Sequence, residues 1–503
     1  MKQLIKTLLK EKDLSKRKVE ELKKQWAKDH NKGKIPLNSE IYLACNESEK
    51  KKLRRLLVTK PTRTISGVSV IAAMIKPSEC PGKCIYCPQG YENKEFVAPK
   101  SYTGYEPAAM RARLNDFDAY KQVTNRLKQL NNIGHSTEKN ELIIMGGTLP
   151  AMPWKYQVEF VKGCFDGFNG KKSKTLLEAH KINETAKNRV IGMTLETRPD
   201  YVFPEKFLEL GATRVELGVQ TVYDSIFKKV KRGHGTKEVK EATKALKDNC
   251  FKVLYHMMPG LPGSTFEKDV AMFKKLFSDS NYKPDMLKIY PTLVIKGTAL
   301  YDWWKQGKYV AINEKYMTRL LKEVYKIAPK WVRIMRVQRD IPAKFIEAGP
   351  VKSNLREVVL KNLKKSKEIR FREAGHSYLK KGKVAENVEI LVEKYNASSG
   401  AEYFISAEDV KQDILLGFCR LRISKRKEGM IRELHVYGNV EAIGKKGKDV
   451  QHRGFGRKLM ERAEEIAMKK GKKEMIVISG IGVREYYRKL GYKLKGSYMF
   501  KSI

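Results

Sequence analysis

No run of about 18 uncharged apolar residues occurs in this 503-residue chain, so no segment is expected to cross a bilayer as a helix. The basic start Met1-Lys2-Gln3-Leu4-Ile5-Lys6 is followed by no apolar stretch of the kind a signal peptide carries, and none is expected. Cysteine is scarce and odd in number, at seven. That excludes a disulfide framework and suits a reducing cytoplasm, the expected location. Acidic residues are short as well. Asp and Glu total 57 against 102 Lys and Arg, a formal charge of +45. Lys-rich proteins from hot environments usually add Glu to match, and here Glu does not match. The excess points to a polyanionic partner, nucleic acid first. The chain has no internal repeat and no long low-complexity tract.

What is present divides the chain. Hydrophobic residues make up 41% of it, enough for a real core, and its length predicts roughly two to four domains. Residues 1–62 alternate basic clusters with Leu8, Leu9, Leu14, Val19, Leu22 and Trp26, the spacing of amphipathic helices. The run Lys50-Lys51-Lys52-Leu53-Arg54-Arg55 makes this a phosphate-binding candidate, with Trp26 and Tyr42 as stacking surfaces. Across residues 63–340, β-rich runs recur between helical stretches: Val68–Ile75, Leu142–Met145, Val190–Leu195, Thr213–Val219, Phe251–Met258 and Met286–Pro291. Six such runs predict a parallel sheet of β–α units, a partial barrel with active groups on loops after the strand ends. Several runs end in polar or glycine-containing sequence: Gly146-Gly147-Thr148, Glu196-Thr197-Arg198-Pro199-Asp200, Gly218-Val219-Gln220-Thr221 and His256-Met257-Met258-Pro259. Residues 341–395 are a basic connector holding Lys361, Lys364, Lys365, Lys367, Arg370 and Arg372. In residues 396–503 strands are expected at Ile414–Ile423, Ile431–Tyr437 and Met475–Ser479, with helices from Gly454 and over Arg484–Leu490.

Cys80, Cys84 and Cys87 fall within eight residues, directly after the first predicted strand. Three clustered thiols are a metal-site pattern. They are one fewer than a closed zinc or iron–sulfur site takes, which leaves a coordination position open. No further Cys or His lies nearby to complete a zinc site, so iron–sulfur is favoured. The other four, Cys45, Cys164, Cys250 and Cys419, read as small buried hydrophobes. In the last domain Gln451-His452-Arg453-Gly454-Phe455-Gly456 fits Q-x-x-G-x-G between a strand and a helix. Backbone N–H groups at such a helix start can hold phosphate oxygens, and a simple cap is the plainer alternative.

The C-x3-C-x2-C spacing after a first barrel strand, with Tyr86 before the last Cys, resembles the radical S-adenosylmethionine superfamily. The resemblance implies a [4Fe-4S] cluster on Cys80, Cys84 and Cys87, with S-adenosyl-L-methionine on the open iron and Gly146-Gly147 against its methionine amino group. The C-terminal order, with Arg432-Glu433-Leu434-His435-Val436-Tyr437 and Glu485-Tyr486-Tyr487-Arg488, resembles the GNAT acyltransferases. That implies acetyl-CoA, its pyrophosphate on Gly454, Phe455, Gly456, Arg457 and Lys458, its pantetheine along Leu434, His435, Val436 and Tyr437, and Tyr486 and Tyr487 near the thioester. The pairing of the two is similar to the family of the Elongator catalytic subunit and its single-chain archaeal relatives. It rests on Lys60-Pro61-Thr62-Arg63-Thr64-Ile65-Ser66-Gly67, Ser101-Tyr102-Thr103-Gly104-Tyr105-Glu106-Pro107, Glu196-Thr197-Arg198-Pro199-Asp200, Val337-Gln338-Arg339-Asp340-Ile341-Pro342, Arg432–Gly438 and Tyr486–Tyr492. The first two cluster cysteines stand closer here than in eukaryotic members, which restores the common superfamily spacing. By the same resemblance Lys139 contacts acetyl-CoA.

The expected architecture is therefore α/β. A basic helical tRNA-binding region (1–62) precedes a partial (β/α)6 radical S-adenosylmethionine barrel (63–340), a basic linker (341–395) and a GNAT α/β domain (396–503). The resemblance implies a carboxymethyl group installed on carbon 5 of the wobble uridine of tRNA. A hydrogen is taken from the acetyl methyl group, the carbon radical adds to uracil, and the thioester is hydrolysed. The anticodon stem-loop is the expected partner. A homodimer or other Elongator-like subunits stay open. Splayed bases need stacking partners, for which Tyr102, Tyr105, Arg198, Tyr290 and Arg336 are candidates. Two rival readings stand beside this one. The first is a protein lysine acetyltransferase using the GNAT domain alone; the second is a tRNA-binding module that no longer uses its cluster.

Overall fold

The structure is a computed structural model. It describes residues 1–59, 64, 66–92, 95–381, 385–437 and 454–503. Four helices open the chain: α1 Lys2–Lys10, α2 Lys16–Asp29, α3 Asn38–Ala44 and α4 Glu47–Leu57. Their apolar positions converge as the spacing predicts, with Leu4, Ile5, Leu8, Val19, Ile41, Leu53 and Leu57 in one small core. The lysines are left outside except Lys23, which is buried and bonded to Glu20 and Asn38. Ser15 caps α2 and Asn46 caps α4, each side chain taking a first-turn N–H.

The middle of the chain is a curled parallel sheet of seven strands in sequence order. These are β1 Ser69–Met74, β2 Lys139–Met145, β3 Arg189–Thr197, β4 Arg214–Gln220, β5 Lys252–Met257, β6 Met286–Ile289 and β7 Arg333–Val337. Every neighbouring pair runs parallel. Helices between the strands cover the outer face, and Leu142, Ile144, Leu195, Val215, Leu217 and Val253 pack there fully buried. Six strands stand where the sequence predicts them. The seventh, Arg333-Ile334-Met335-Arg336-Val337, extends the sheet. Arginine interrupts its apolar run, because one face of β7 looks into a polar lumen and not into a core.

The last domain is a second seven-stranded sheet: β8 Glu389–Ala397, β9 Gly400–Asp409, β10 Ile414–Ile423, β11 Glu428–Val436, β12 Glu474–Val477, β13 Lys493–Lys495 and β14 Tyr498–Ser502. Helix α5, Phe455–Lys469, lies across β9–β11, and the short helix α6, Arg484–Arg488, follows β12. β11 pairs with β12 only over Glu428–Ile431 and then diverges while staying bonded to β10. The divergence opens a V-shaped cleft at the residues 432–437.

The two sheets are joined by buried charge. Arg432 of β11 makes a bidentate pair with Asp285, just before β6, at 2.8 and 2.5 Å. Arg432 also bonds Glu402 at 3.0 Å and the Phe251 carbonyl at 2.7 Å. Arg422 bonds Glu402 at 3.0 Å and Asp248 at 2.5 Å. Lys247 and Arg420 each stand 3.6 Å from Asp285. Nearby, the Gly480–Gly482 turn rests directly on the backbone of Ile191 and Val190 in β3, and Arg484 and Arg488 both pair with Glu184. The GNAT-like sheet thus docks at the N-terminal ends of the barrel strands.

Among the connector residues, Lys361, Lys364, Lys365 and Lys367 are exposed. Arg372 is not: it is 2% exposed and bonded to Glu408 and Asp413. It serves the fold, because a buried guanidinium needs fixed carboxylates. The predicted contribution of the connector to a phosphate-binding surface therefore narrows to its lysines.

Candidate active site

The three cysteines line one cavity of about 130 Å³ at the C-terminal rim of the parallel sheet. The strands aim their end residues into it: Met145 at the end of β2 and Gly147 beyond it, Glu196 on β3 and Arg198 beyond it, Gly218 and Gln220 on β4, His256 on β5 and Tyr290 after β6. Sequence reasoning places the loops on one rim, and the structure brings them together. Cys84 accepts a hydrogen bond from Arg232, 3.3 Å away. A hydrogen bond from Cys87, opposed by burial and aided by Arg232, pulls the Cys84 thiol down to about 4. Cys87 moves the other way, through that shared hydrogen bond and burial. A low-lying thiolate held by a buried cation suits metal ligation. The donor set, three thiols facing one cavity, fits a [4Fe-4S] cluster with one iron left open.

The cradle around it fits a second ligand. Gly146 has φ +130°, and a β-carbon there would fall 2.4 Å from Ile75 Cγ1, so only glycine lets the chain turn here. Arg198 bonds Asp200 through Nε and Nη2, but its buried Nη1 has no partner among the described residues. An unpaired donor at this depth favours an anionic group beside it. Of the stacking candidates, Tyr102, Arg198, Tyr290 and Arg336 line the cavity, and Tyr105 does not. Tyr102 is committed to Glu196 at 2.7 Å, Arg336 pairs with Asp340, and Tyr105 packs on Phe345.

Below the rim the lumen of the half-barrel is ionic. Glu216 is fully buried and bonded by Lys288 and by His256 Nε2, the latter at 2.7 Å. Lys288 reaches Glu196 at 3.4 Å. Arg214 pairs with Glu141 at 2.5 Å and approaches Glu216 at 3.6 Å. Burial alone would raise the Glu216 carboxyl, but Lys288, His256 and Arg214 outweigh it and hold the group well below its usual range. Sequence reasoning missed Arg232, Arg214, Glu216 and Lys288. It named the His256 segment only as a polar strand end. The residues come from separate strands, and nothing local marks them as partners.

At the other end, the C-terminal candidates divide. Gly454, with φ +72°, heads α5, and Phe455 is buried beneath it. Arg457 pairs with Glu461 at 3.0 Å and Lys458 is exposed. Tyr486 lies against this helix start: a β-carbon on Gly456 would come within 2.6 Å of its hydroxyl. Tyr487 is 5% exposed in the core beside Tyr486 and Tyr492, and burial pushes its hydroxyl well up. Leu434 and Val436 pack toward the core of the domain. His435 and Tyr437 face the barrel, where the Tyr437 hydroxyl accepts from Arg333 at 2.6 Å. The main chain of 434–437 edges the V-shaped cleft. Lys139 pairs in register with Arg189, which touches the Gly482 turn. It therefore stands at the domain junction. Gln451, His452 and Arg453 of the Q-x-x-G-x-G motif lie outside the described residues, as do Gly438, Lys60–Arg63 and Ile65.

A thiol-lined half-barrel carrying a GNAT-type cleft on one chain defines a radical S-adenosylmethionine enzyme fused to an acetyltransferase. Family models agree. The Radical SAM superfamily matches residues 74–276, the Radical_SAM C-terminal domain 284–365, the Acetyltransferase (GNAT) family 372–492 and the ELP3 N-terminal domain 1–65. The chain is 48% identical to "tRNA uridine(34) acetyltransferase" of Methanocaldococcus infernus, over 100% of this chain and 99% of that one. It is 39% identical to human "Elongator complex protein 3", over 100% and 96%. The solved archaeal Methanocaldococcus infernus Elp3 with an N-terminal deletion superposes with a TM-score of 0.77 at 45% identity, covering 88% of this chain and 100% of that one. The chain belongs to the family of the tRNA uridine(34) acetyltransferases and Elongator complex protein 3. It is an enzyme, and its domains are those that use a [4Fe-4S] cluster, S-adenosyl-L-methionine and acetyl-CoA. Among the described residues no helix is long and apolar enough to cross a membrane.

Proposed function

We propose that this enzyme modifies the wobble uridine of tRNA in the cytoplasm, installing a carboxymethyl group on carbon 5. The observation that carries the reading is the docking. The GNAT domain is seated directly on the half-barrel that carries the thiol cavity, through buried pairs such as Arg432 with Asp285. An acetyl group bound by the GNAT domain needs radical chemistry that only the half-barrel offers.

In this reading Cys80, Cys84 and Cys87 hold the cluster, and Gly146 and Gly147 let S-adenosylmethionine approach it closely. Together those groups supply a carbon radical able to take hydrogen from an acetyl methyl group. Everything else is done by the chain. Gly454, Phe455, Gly456, Arg457 and Lys458 hold the CoA pyrophosphate on a helix start. The main chain of Leu434, His435, Val436 and Tyr437 carries the pantetheine, and Lys139 secures it from the barrel side. Tyr486 and Tyr487 flank the thioester. Tyr102, Tyr290 and Arg336 receive the splayed anticodon base at the mouth. The N-terminal helices over 1–62 and the linker lysines grip the anticodon stem-loop backbone, ahead of the barrel over 63–340, the linker over 341–395 and the GNAT domain over 396–503.

The test is anaerobic reconstitution followed by incubation with tRNA, acetyl-CoA and S-adenosylmethionine. Mass analysis of the wobble nucleoside should show the added carboxymethyl group. Unmodified uridine with both cofactors fully bound would refute the reading.

A further inference from the structure

Among the described residues, His256 is the one histidine on the cavity wall. Its Nε2 meets Glu216 Oε2 at 2.7 Å, and Lys288 bonds the same oxygen. A carboxylate only accepts, so the Nε2 nitrogen carries the proton. In the neutral ring Nδ1 is then the atom that keeps a lone pair, and no hydrogen bond to it is made among the described residues. Tyr290 fixes the ring from the side, edge-on at 5.3 Å between centroids. Lys288, Glu216 and His256 thus form a file that ends in a base facing the cavity.

The other carboxylates on that wall are committed. Glu196 accepts from Tyr102 and Lys288. Glu106 accepts the N–H groups of Thr103 and Gly104. Asp340 is held by Arg336. Lys100, Arg198, Arg232, Arg336 and Arg339 are cations with no lone pair to offer. Glu196, Glu216 and His256 also stand close enough to share a metal ion. The Lys288 ammonium already bonds both carboxylates, so the cation place among them is filled.

We propose that His256 is the catalytic base that removes the C5 proton of the uridine after the new carbon–carbon bond forms, with Glu216 and Lys288 as its positioning residues. This rests on the carboxymethyl reading above. Addition of the carbon radical to C5 leaves an unpaired electron at C6 and a hydrogen still on C5. Restoring the C5–C6 double bond breaks the C5–H bond. The proton goes to His256 Nδ1, two electrons form the double bond, and one electron is left over. The cluster that Cys80, Cys84 and Cys87 would hold, in its oxidised state, would accept that electron. General-base catalysis of this kind contributes about 10²- to 10⁴-fold.

The test uses the full chain and tRNA carrying tritium at C5 of the uridine. His256→Gln keeps an N–H for Glu216 but has no base. Its iron content and tRNA affinity should match the parent enzyme, and 5′-deoxyadenosine should still form. Tritium release and carboxymethyl product should fall together by about 100-fold or more. Release within about threefold of the parent would overturn the assignment, and so would loss of iron or tRNA binding large enough to account for the lost product. A second measurement needs no cofactor. Nitrogen-15 spectra of the metal-free protein, with the His256 signals identified from His256→Gln, should show Nε2 protonated and Nδ1 bare, and Glu216→Gln should disturb that state. A protonated Nδ1 in the neutral ring would sink the proposal. If the parent enzyme itself makes no carboxymethyl nucleoside, the function reading fails, whereas product from His256→Gln counts against the base alone.

Discussion

Asp285→Asn probes the joint between the two sheets. The side chain keeps its shape and loses its charge. Asp285 is completely buried and stands among Arg432, Lys247 and Arg420. At an effective dielectric of about 20, a unit pair about 2.8 Å apart is worth about 6 kcal/mol. Part of that only offsets the cost of burying the carboxylate. Breaking one partner of a buried pair typically costs about 3–5 kcal/mol, and that is the expected loss in urea unfolding monitored across both domains. The surrounding network holds Arg420, Arg422, Arg432 and Lys247 against Asp248, Asp285, Glu402 and Glu433. It is balanced, so removing one anion strands one cation. Asp285→Asn with Arg432→Met restores the balance and should recover most of the loss. The pH dependence follows from the sign of the shift. Burial raises the Asp285 carboxyl, but Arg432, Lys247 and Arg420 outweigh it and depress the group below its unfolded value. Its stabilisation is therefore present above the unfolded pKa of about 3.9 and lost only as pH falls from there toward the folded value. Asp285 itself therefore adds no pH dependence to the penalty above about pH 5, whereas Lys247, which burial lowers to about 8, makes the penalty shrink as pH rises toward that value. A single-variant loss under about 1 kcal/mol, or a double variant as unstable as the sum of its parts, would refute the reasoning.

Three further outcomes are expected. Cys84→Ala should reduce bound iron to background after reconstitution while acetyl-CoA binding, measured by calorimetry, stays unchanged. Gly146→Ala forces a β-carbon into Ile75 at a backbone angle L-residues rarely adopt. It should cost about 1–3 kcal/mol of stability and weaken S-adenosylmethionine binding in equilibrium dialysis, leaving the GNAT domain unaffected. Affinity for tRNA, followed by filter binding, should fall about 10³-fold between about 50 and 200 mM salt, because released counterions drive binding to so basic a chain. A flat response would remove the N-terminal helices and linker lysines from the RNA interface.

What the residues alone determine here is local. The Cys80–Cys87 spacing, the Gly146-Gly147 pair and the Gly454 helix start are legible because each motif completes its chemistry within a few neighbouring residues. Six of the barrel strands are legible because their runs are apolar. β7 is not, since Arg333 and Arg336 face a lumen that exists only once the sheet curls. The strands β8 and β9 likewise gain meaning only from the sheet that they complete. Tertiary structure alone decided the rest. It set His256 on Glu216 and Lys288, drawn from three separate strands, and buried Arg372 where a basic connector suggested a free charge. It also seated Arg432 on Asp285 across the domain joint. The physical reason is common to all of them. An ion can be buried only where its counter-ion is brought to it, and that meeting is made by strand register and domain docking, which no short stretch of sequence contains.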